Sequence, residues 1–282
     1  MNNLKTDRVT KKKMFILIVN VFISIGFLFP LYWTLISSLK NKGEIYLFPP
    51  SLIPIELDLT NYVNLFIRDK GAYLKFLQNS IIIDITTIAV VTTISVLAGF
   101  AFSKLELIGK KVWMTLILFT TMVPFQALMV PLYNVMSQFK LLNSLVCMVI
   151  IYATYQTPFC IFLMKNSFDM IPNTLREAAH IDGASNFEVF KKVYIPLTLP
   201  GIVTTIVYSA YTTWNDYLIA LTFGGISWKT FNVGIADLAT GDHLLDWGAM
   251  TAGSIVSLIP IIILFLCLQK YFVKGIMSGA IK

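Results

Sequence analysis

Residues 14–36 read MFILIVNVFISIGFLFPLYWTLI, an uncharged run from Met14 to Ile36 that is too long and too continuously apolar for the surface of a soluble domain. A helix needs about 20 apolar residues to cross roughly 30 Å of hydrocarbon. Five further stretches meet that length: Ser80 to Phe102, Val112 to Val135, Leu142 to Met164, Leu197 to Thr222 and Met250 to Phe272. Barrel strands are shorter and alternate in polarity, so these runs read as helices. Composition agrees, with 56% hydrophobic and 13% charged residues in 282 and a mean hydropathy of +0.74. The expected fold is an all-α membrane protein of six transmembrane helices. One transmembrane domain covers residues 1–282, with a polar tail at 1–13 and a polar loop at 165–196 between the fourth and fifth spans.

Lysine and arginine set the orientation, because they are retained on the cytoplasmic side. Fifteen of the 22 fall before the first span, after the second, after the fourth, and beyond or within the last three residues of the sixth. Both termini and the 165–196 loop are therefore expected in the cytoplasm. The net charge of +7 would suit a nucleic-acid binder, but these charges flank spans and form no separate basic domain. The basic start resembles a signal peptide, yet its apolar run is too long and lacks a small-residue cleavage pattern, so it reads as an uncleaved first span. Cys147, Cys160 and Cys267 lie inside spans without metal-ligand spacing and read as packing residues.

The polar loop carries Arg176-Glu177-Ala178-Ala179-His180-Ile181-Asp182-Gly183-Ala184-Ser185. Pro172 suits a first helical turn, and Leu175, Ala178, Ala179 and Asp182 recur on one face. Small Ala178 and Ala179 permit close backbone approach, Arg176 and Glu177 offer charge, and Gly183 suits a helix end at positive φ. Ser185 to Glu188 then has the S-x-x-E form of a capping box, followed by Phe190 and Val193, with Pro196 expected to end this second helix. A helix of about ten residues is marginal alone in water, so packing against a partner would hold it. The segment reads as a docking knob, or else as an ordinary loop helix.

Between the first two spans, Pro49-Pro50 and Pro54 imply extended chain, and 61–75 could hold a short surface helix. The 223–249 segment is expected as an outward loop. Pro30, Pro124, Pro131, Pro158, Pro200 and Pro260 fall in spans, where each removes a backbone donor and favours a kink. The fifth span is the most polar. Wound at 100° per residue, Thr204, Thr205, Tyr208, Ser209, Tyr211, Thr212, Asn215 and Asp216 share one face, opposite Ile202, Val203, Ile206, Ala210 and Tyr217, which Thr213 joins. Hydroxyls and amides among rings could line a path for a neutral polyhydroxylated solute, or could bond to neighbouring helices. Asp84 is the other notable acid in a span, and its role stays open. His180 and His243 lie in loops, which argues against a buried relay. No phosphate loop, H-E-x-x-H, G-x-S-x-G or CxxC motif occurs. Gly275 to Gly279 spells G-x-x-x-G, but beyond the last expected span.

At Glu177-Ala178-Ala179, Asp182-Gly183-Ala184 and Ile195-Pro196-Leu197 with Pro200, the chain resembles the inner-membrane permease subunits of ATP-binding-cassette importers. The likeness extends to the oligosaccharide branch, similar to its smaller maltose-type permease. It is carried by Pro30-Leu31-Tyr32-Trp33, Ser38-Leu39-Lys40, Asn79-Ser80, Trp214-Asn215-Asp216-Tyr217 and the run from Gln269 to Gly275. The resemblance implies a permease of a bacterial-type inner membrane, paired with a homologous permease, two ATPase subunits and an extracellular solute-binding protein. It implies no catalytic residue, metal or cofactor on this chain, with ATP and Mg held by the ATPases. Leu175, Arg176, Glu177, Ala178, Ala179, Asp182, Gly183 and Ala184 would form the coupling helix lodged in an ATPase cleft. The segment from Lys274 to Lys282 would lie near the ATPases. Ile195 replaces a commoner leucine, and Asp84 lies outside the family pattern. Thr205, Tyr208, Ser209, Tyr211, Thr212, Asn215 and Asp216 are the candidate path residues, although in such pairs the partner can carry the solute contacts. A permease for an amino acid, peptide or polyol is the nearest alternative; a membrane-embedded enzyme or an assembly protein is the more distant one.

Overall fold

A computed structural model describes residues 2–240 and 246–280, with side-chain surroundings for 13–239 and 246–269. Among the described residues every regular element is helical: α1 (Asn2–Ser38), α2 (Lys42–Ile45), α3 (Thr60–Lys104), α4 (Lys110–Thr120), α5 (Phe125–Gln138), α6 (Leu145–Asp169), α7 (Thr174–Ile181), α8 (Asn186–Val189), a π turn (Phe190–Tyr194), α9 (Ile195–Leu197), α10 (Leu199–Trp214), α11 (Leu218–Phe223), α12 (Phe231–Thr240) and α13 (Trp247–Ala280). By length and composition, four helices among the described residues can cross a membrane: α1 from Lys13, α3, α6, and α13 as far as Gln269. Two bent pairs raise the number to as many as six, α4 with α5 at 92° and Asn186–Leu197 with α10 at 70°.

The breaks correct several sequence expectations. The third span is not one rod from Val112 to Val135. Pro124 has no amide to donate and itself sits at φ −64°, ψ 128°, outside helical geometry, so the chain turns there. The hydroxyls of Thr120 and Thr121 cap the interrupted end by donating to Ile117 O at 2.6 Å and Leu118 O at 2.7 Å. The fifth span stops at Trp214 rather than Thr222, and α11 follows as a separate short helix. Pro196 does not end the second loop helix. The preceding π turn widens the ladder where the proline amide is missing, and the bend comes at Thr198, whose hydroxyl donates to Tyr194 O at 2.9 Å. Pro172 precedes the Asn173 cap rather than opening α7. The 223–249 segment contains α12, and helical backbone from Thr60 supplies the expected surface helix before a kink at Arg68 to Gly71.

Contacts divide the chain into two compact units. The first comprises Met1–Ala72 and Ile235–Ser257. There the Asn61 amide donates to the carbonyls of Ser38 and Lys40 at 3.0 and 2.7 Å, Ser38 Oγ lies 2.7 Å from the Tyr62 hydroxyl, and Arg68 pairs with Asp246 at 3.0 Å. The apolar residues of α1 from Met14 to Leu31 are exposed in the isolated chain, as a surface meant for lipid or protein would be.

The second unit comprises Tyr73–Gly234 and Leu258–Lys282, and α6 is its most enclosed span. One core gathers Ile83, Cys147, Met148, Ile151 and Tyr152 with Ile219, Phe223 and Val233. A second, at the other end of α6, gathers Val96, Met164, Phe168, Ile171, Val189 and Tyr194. Glycines set two close approaches to α6. A Cβ on Gly99 would meet the Lys165 backbone nitrogen at 2.9 Å, and one on Gly201 would strike the Ser167 side chain. Small residues let helices pack tightly where lipid supplies no hydrophobic drive. Asn79 and Ser80 tie α3 to the chain before α12: Asn79 Nδ2 donates to Ser227 O and Lys229 O at 3.1 and 3.0 Å, and Phe231 N donates to Ser80 Oγ at 2.8 Å.

Candidate functional site

The loop at 174–197 is built by local hydrogen bonding. The Ala184 amide donates to Ala179 O at 2.9 Å and the Gly183 amide to His180 O at 3.0 Å, with Gly183 at φ +83°. These two bonds form a Schellman turn, which satisfies carbonyls that α7 would otherwise leave open. Ser185 and Glu188 complete the reciprocal capping box that starts α8. Lys192 bonds Glu188 at 2.9 Å, and that bond with those from Ser185 holds the Glu188 carboxyl down at about 2.

One face of this element is anchored and the other is open. Ala179 and Ala184 pack on the core of Val96, Met164, Phe168 and Tyr194, so α7 rests on the ends of α3 and α6. Arg176 is half-buried and donates to Lys104 O at 3.4 Å, while His180 Nδ1 lies 2.9 Å from Ala184 O. Lys104 Nζ in turn donates to Ile171 O at 2.6 Å and to Asn173 Oδ1 at 3.2 Å, fixing the approach to α7. Leu175, Glu177, Ala178, Asp182 and Gly183 are exposed, as are Ile181 and Phe187 at 86% and 70%. An apolar rim with two carboxylates is thus presented outward on a rigid base. The Lys274 to Lys282 segment has no described side-chain surroundings.

The fifth-span face divides differently from its helical wheel. Thr205 and Ser209 are buried, and Ser209 Oγ donates to Gln156 Oε1 at 2.7 Å. The Gln156 amide donates to Thr213 Oγ1 at 2.9 Å, so one buried side chain of α6 pins two turns of α10. Asp216 accepts the Tyr152 hydroxyl at 2.9 Å and the Ala220 amide at 3.1 Å. The Tyr208 ring lies tilted against Phe159 with centroids 4.8 Å apart, and Thr212 donates to Tyr208 O at 2.8 Å. Tyr211 is 60% exposed, and Asn215 is exposed while donating to Tyr211 O at 2.9 Å. The structure therefore places Thr205, Ser209 and Asp216 against neighbouring helices, and Tyr211 and Asn215 outward. Gln156 and Tyr152 escaped the sequence reading; an amide in the middle of an apolar span was the available signal.

Asp84 lies on α3 with one carboxylate oxygen buried and unpartnered, as are the hydroxyls of Thr87 about one turn further on and of Ser95 about two turns beyond that. No group of three or more potential metal ligands occurs among the described residues.

Residues 91–278 match the family described as binding-protein-dependent transport system inner membrane component. The chain is 34% identical over 92% of its length, and 85% of the relative's, to a probable ABC transporter permease of Bacillus subtilis, YurM. It is 32% identical to the sulfoquinovosyl glycerol transport system permease SmoH of Agrobacterium fabrum, over 90% of this chain and 89% of that one. It is likewise 32% identical to the trehalose transport system permease SugB of Mycobacterium tuberculosis, over 90% and 92%. A solved chain from a bacterial ABC transporter involved in the import of the acidic polysaccharide alginate superposes with a TM-score of 0.82 at 22% identity, covering 95% of this chain and 98% of that one, which shows a shared fold. The chain belongs to the binding-protein-dependent inner-membrane components of ABC transporters, as a permease subunit rather than an enzyme.

Proposed function

We propose that this permease forms half of the translocation pathway of an ATP-driven, binding-protein-dependent importer for a sugar or oligosaccharide. Relatives whose names include trehalose and arabinooligosaccharide transport support the substrate class. In this reading α4 with α5 counts as one bent span and α10 as another, giving six, with both termini and residues 165–196 in the cytoplasm. A homologous permease completes the pathway, two ATPase subunits hold ATP and Mg, and an extracellular binding protein delivers the solute. This chain itself binds no cofactor.

The observation that carries the reading is the face of α7, open on one side and seated on the ends of α3 and α6 on the other. Leu175 and Ala178 fill an apolar cleft of the ATPase, Glu177 and Asp182 meet its cations, and the Gly183 turn fixes the angle of presentation. When the ATPases close around ATP, the docked helix moves with them. Ala179 and Ala184 pass that displacement to the core of Phe168 and Met164, and so to the spans. ATP binding shifts the equilibrium only as far as the two arrangements differ in docking free energy. Tyr211 and Asn215 are the path residues best placed to meet solute. Uptake of labelled sugars by cells with and without the gene tests the function. Loss of uptake of one sugar on deletion supports it, and unchanged uptake of every sugar tested removes the substrate assignment.

A further inference from the structure

Beside α7, at the end of α3, a groove of about 370 Å³ opens between Leu97, Phe100 and Leu105 on one wall and Phe187, Val189 and Phe190 on the other. Three polar side chains also line it: Arg176, Asn186 and Tyr194. Tyr194 is fully buried, and its hydroxyl has no hydrogen-bond partner among the described residues. Its ring is fixed by Phe100 at 5.3 Å and by Lys104 Nζ at 5.4 Å, so the hydroxyl cannot easily turn elsewhere. The Arg176 guanidinium has no carboxylate partner among the described residues; it donates only to Lys104 O and His180 Nε2, both at 3.4 Å.

The geometry points to a binding site for one anionic phospholipid, with an acyl chain between Leu97 and Phe187 and the phosphate on Arg176 and the Tyr194 hydroxyl. Leu97 and Phe100 belong to α3, which is long and apolar enough to cross a membrane, so a lipid lying along that helix reaches the groove. A free phosphate would make no use of the apolar walls, and a zwitterionic lipid would bring its own cation to a site already cationic. Lys104, Lys110 and Lys111 follow this span and add to the local attraction for anionic lipid. The hydroxyl is enclosed while Arg176 lies against the end of α3. A headgroup that draws the guanidinium outward, against two long hydrogen bonds, gives the hydroxyl its acceptor. Because the groove shares Arg176 and Phe187 with the docking loop, bound lipid sets the seat of α7. The inference rests on α3 crossing the membrane and not on what docks at Leu175 and Ala178.

The test uses the assembled transporter in lipid nanodiscs with a phosphatidylglycerol carrying a photoactivatable acyl chain. Label is expected on peptides containing Leu97 or Phe187, displaced by unlabelled phosphatidylglycerol but not by phosphatidylcholine or inorganic phosphate. Tyr194→Phe keeps the ring packing and removes the donor; labelling affinity should fall about ten-fold, and Leu97→Trp, which fills the groove, should abolish it. Equal displacement by phosphatidylcholine would overturn the headgroup assignment, and displacement by inorganic phosphate alone would reassign the site to a free anion. Label elsewhere, or protection seen only when a soluble protein is bound, would also overturn it. The wild-type map and its competition need no variant, so a misfolded substitution leaves the test intact. Labelling retained in a complex whose α7 fails to contact an ATPase would uphold the lipid site while refuting the coupling reading.

Discussion

The Ala184 amide donates to the Ala179 carbonyl at 2.9 Å, closing α7 over Gly183 and setting both alanines into the core beneath it. That single turn makes Leu175, Ala178 and Asp182 a rigid outward face rather than part of a loose loop. Gly183 at φ +83° is the residue on which it depends. A left-handed conformation costs an ordinary residue about 1–2 kcal/mol. Gly183→Ala should weaken co-purification of the ATPase several-fold, and Gly183→Pro should abolish it, with membrane insertion of the chain retained in both. Pull-down from solubilised membranes measures this.

Gln156 bridges Ser209 and Thr213 in a buried setting, so Gln156→Leu should remove two interhelical hydrogen bonds at once. Such bonds are worth about 0.6 to 1.7 kcal/mol each in membrane helices. A loss of roughly 1–2 kcal/mol is expected by that measure, read as a lower thermal midpoint of the purified protein. Adding Ser209→Ala to Gln156→Leu should cost little more, because the partner is already gone.

Tyr211 and Asn215 are exposed, whereas Ser209 is buried and bonded. Tyr211→Ala and Asn215→Ala should therefore raise the KM for solute uptake, with the thermal midpoint of the purified protein unchanged. Ser209→Ala should show the reverse pattern. Uptake kinetics and thermal melts on the same variants separate the two roles.

Glu188 has its carboxyl depressed to about 2, first by Lys192 and then by Ser185. A carboxyl lowered from its ordinary 4.5 stabilises the fold fully above that value and loses the effect as pH falls toward 2. Amide-exchange protection at Ser185, whose amide donates to the Glu188 carboxylate at 3.1 Å, should be level from pH 8 to about 5 and should decline only below about 4.5. Glu188→Gln keeps an acceptor for the cap and should retain most of the protection; Glu188→Ala should lose it.

Spans and loop grammar were legible because they depend on local chemistry. The apolar run from Met14 to Ile36 and the Ser185–Glu188 box each declare their structure within a few residues. The break at Pro124 was visible as a proline, but its 92° bend depends on what α4 and α5 each pack against. The path face was only half legible. A helical wheel sorts polar from apolar residues, yet Gln156 supplies a polar surface on α6 that draws Ser209 and Thr213 inward. Hydropathy gives no sign of such a partner. The same limit explains α12, whose ten residues are too few to show as a span.

The most direct test places a cysteine on the open face of α7, Ala178→Cys in a chain with Cys267→Ser, since Cys147 and Cys160 are buried and Cys267 alone of the three is exposed. A short thiol crosslinker is applied in membranes, with and without ATP. The expected result is capture of an ATPase subunit from position 178, at a yield that changes when ATP is added. Absence of any ATPase adduct in either condition, in a complex that still imports solute, would contradict the account.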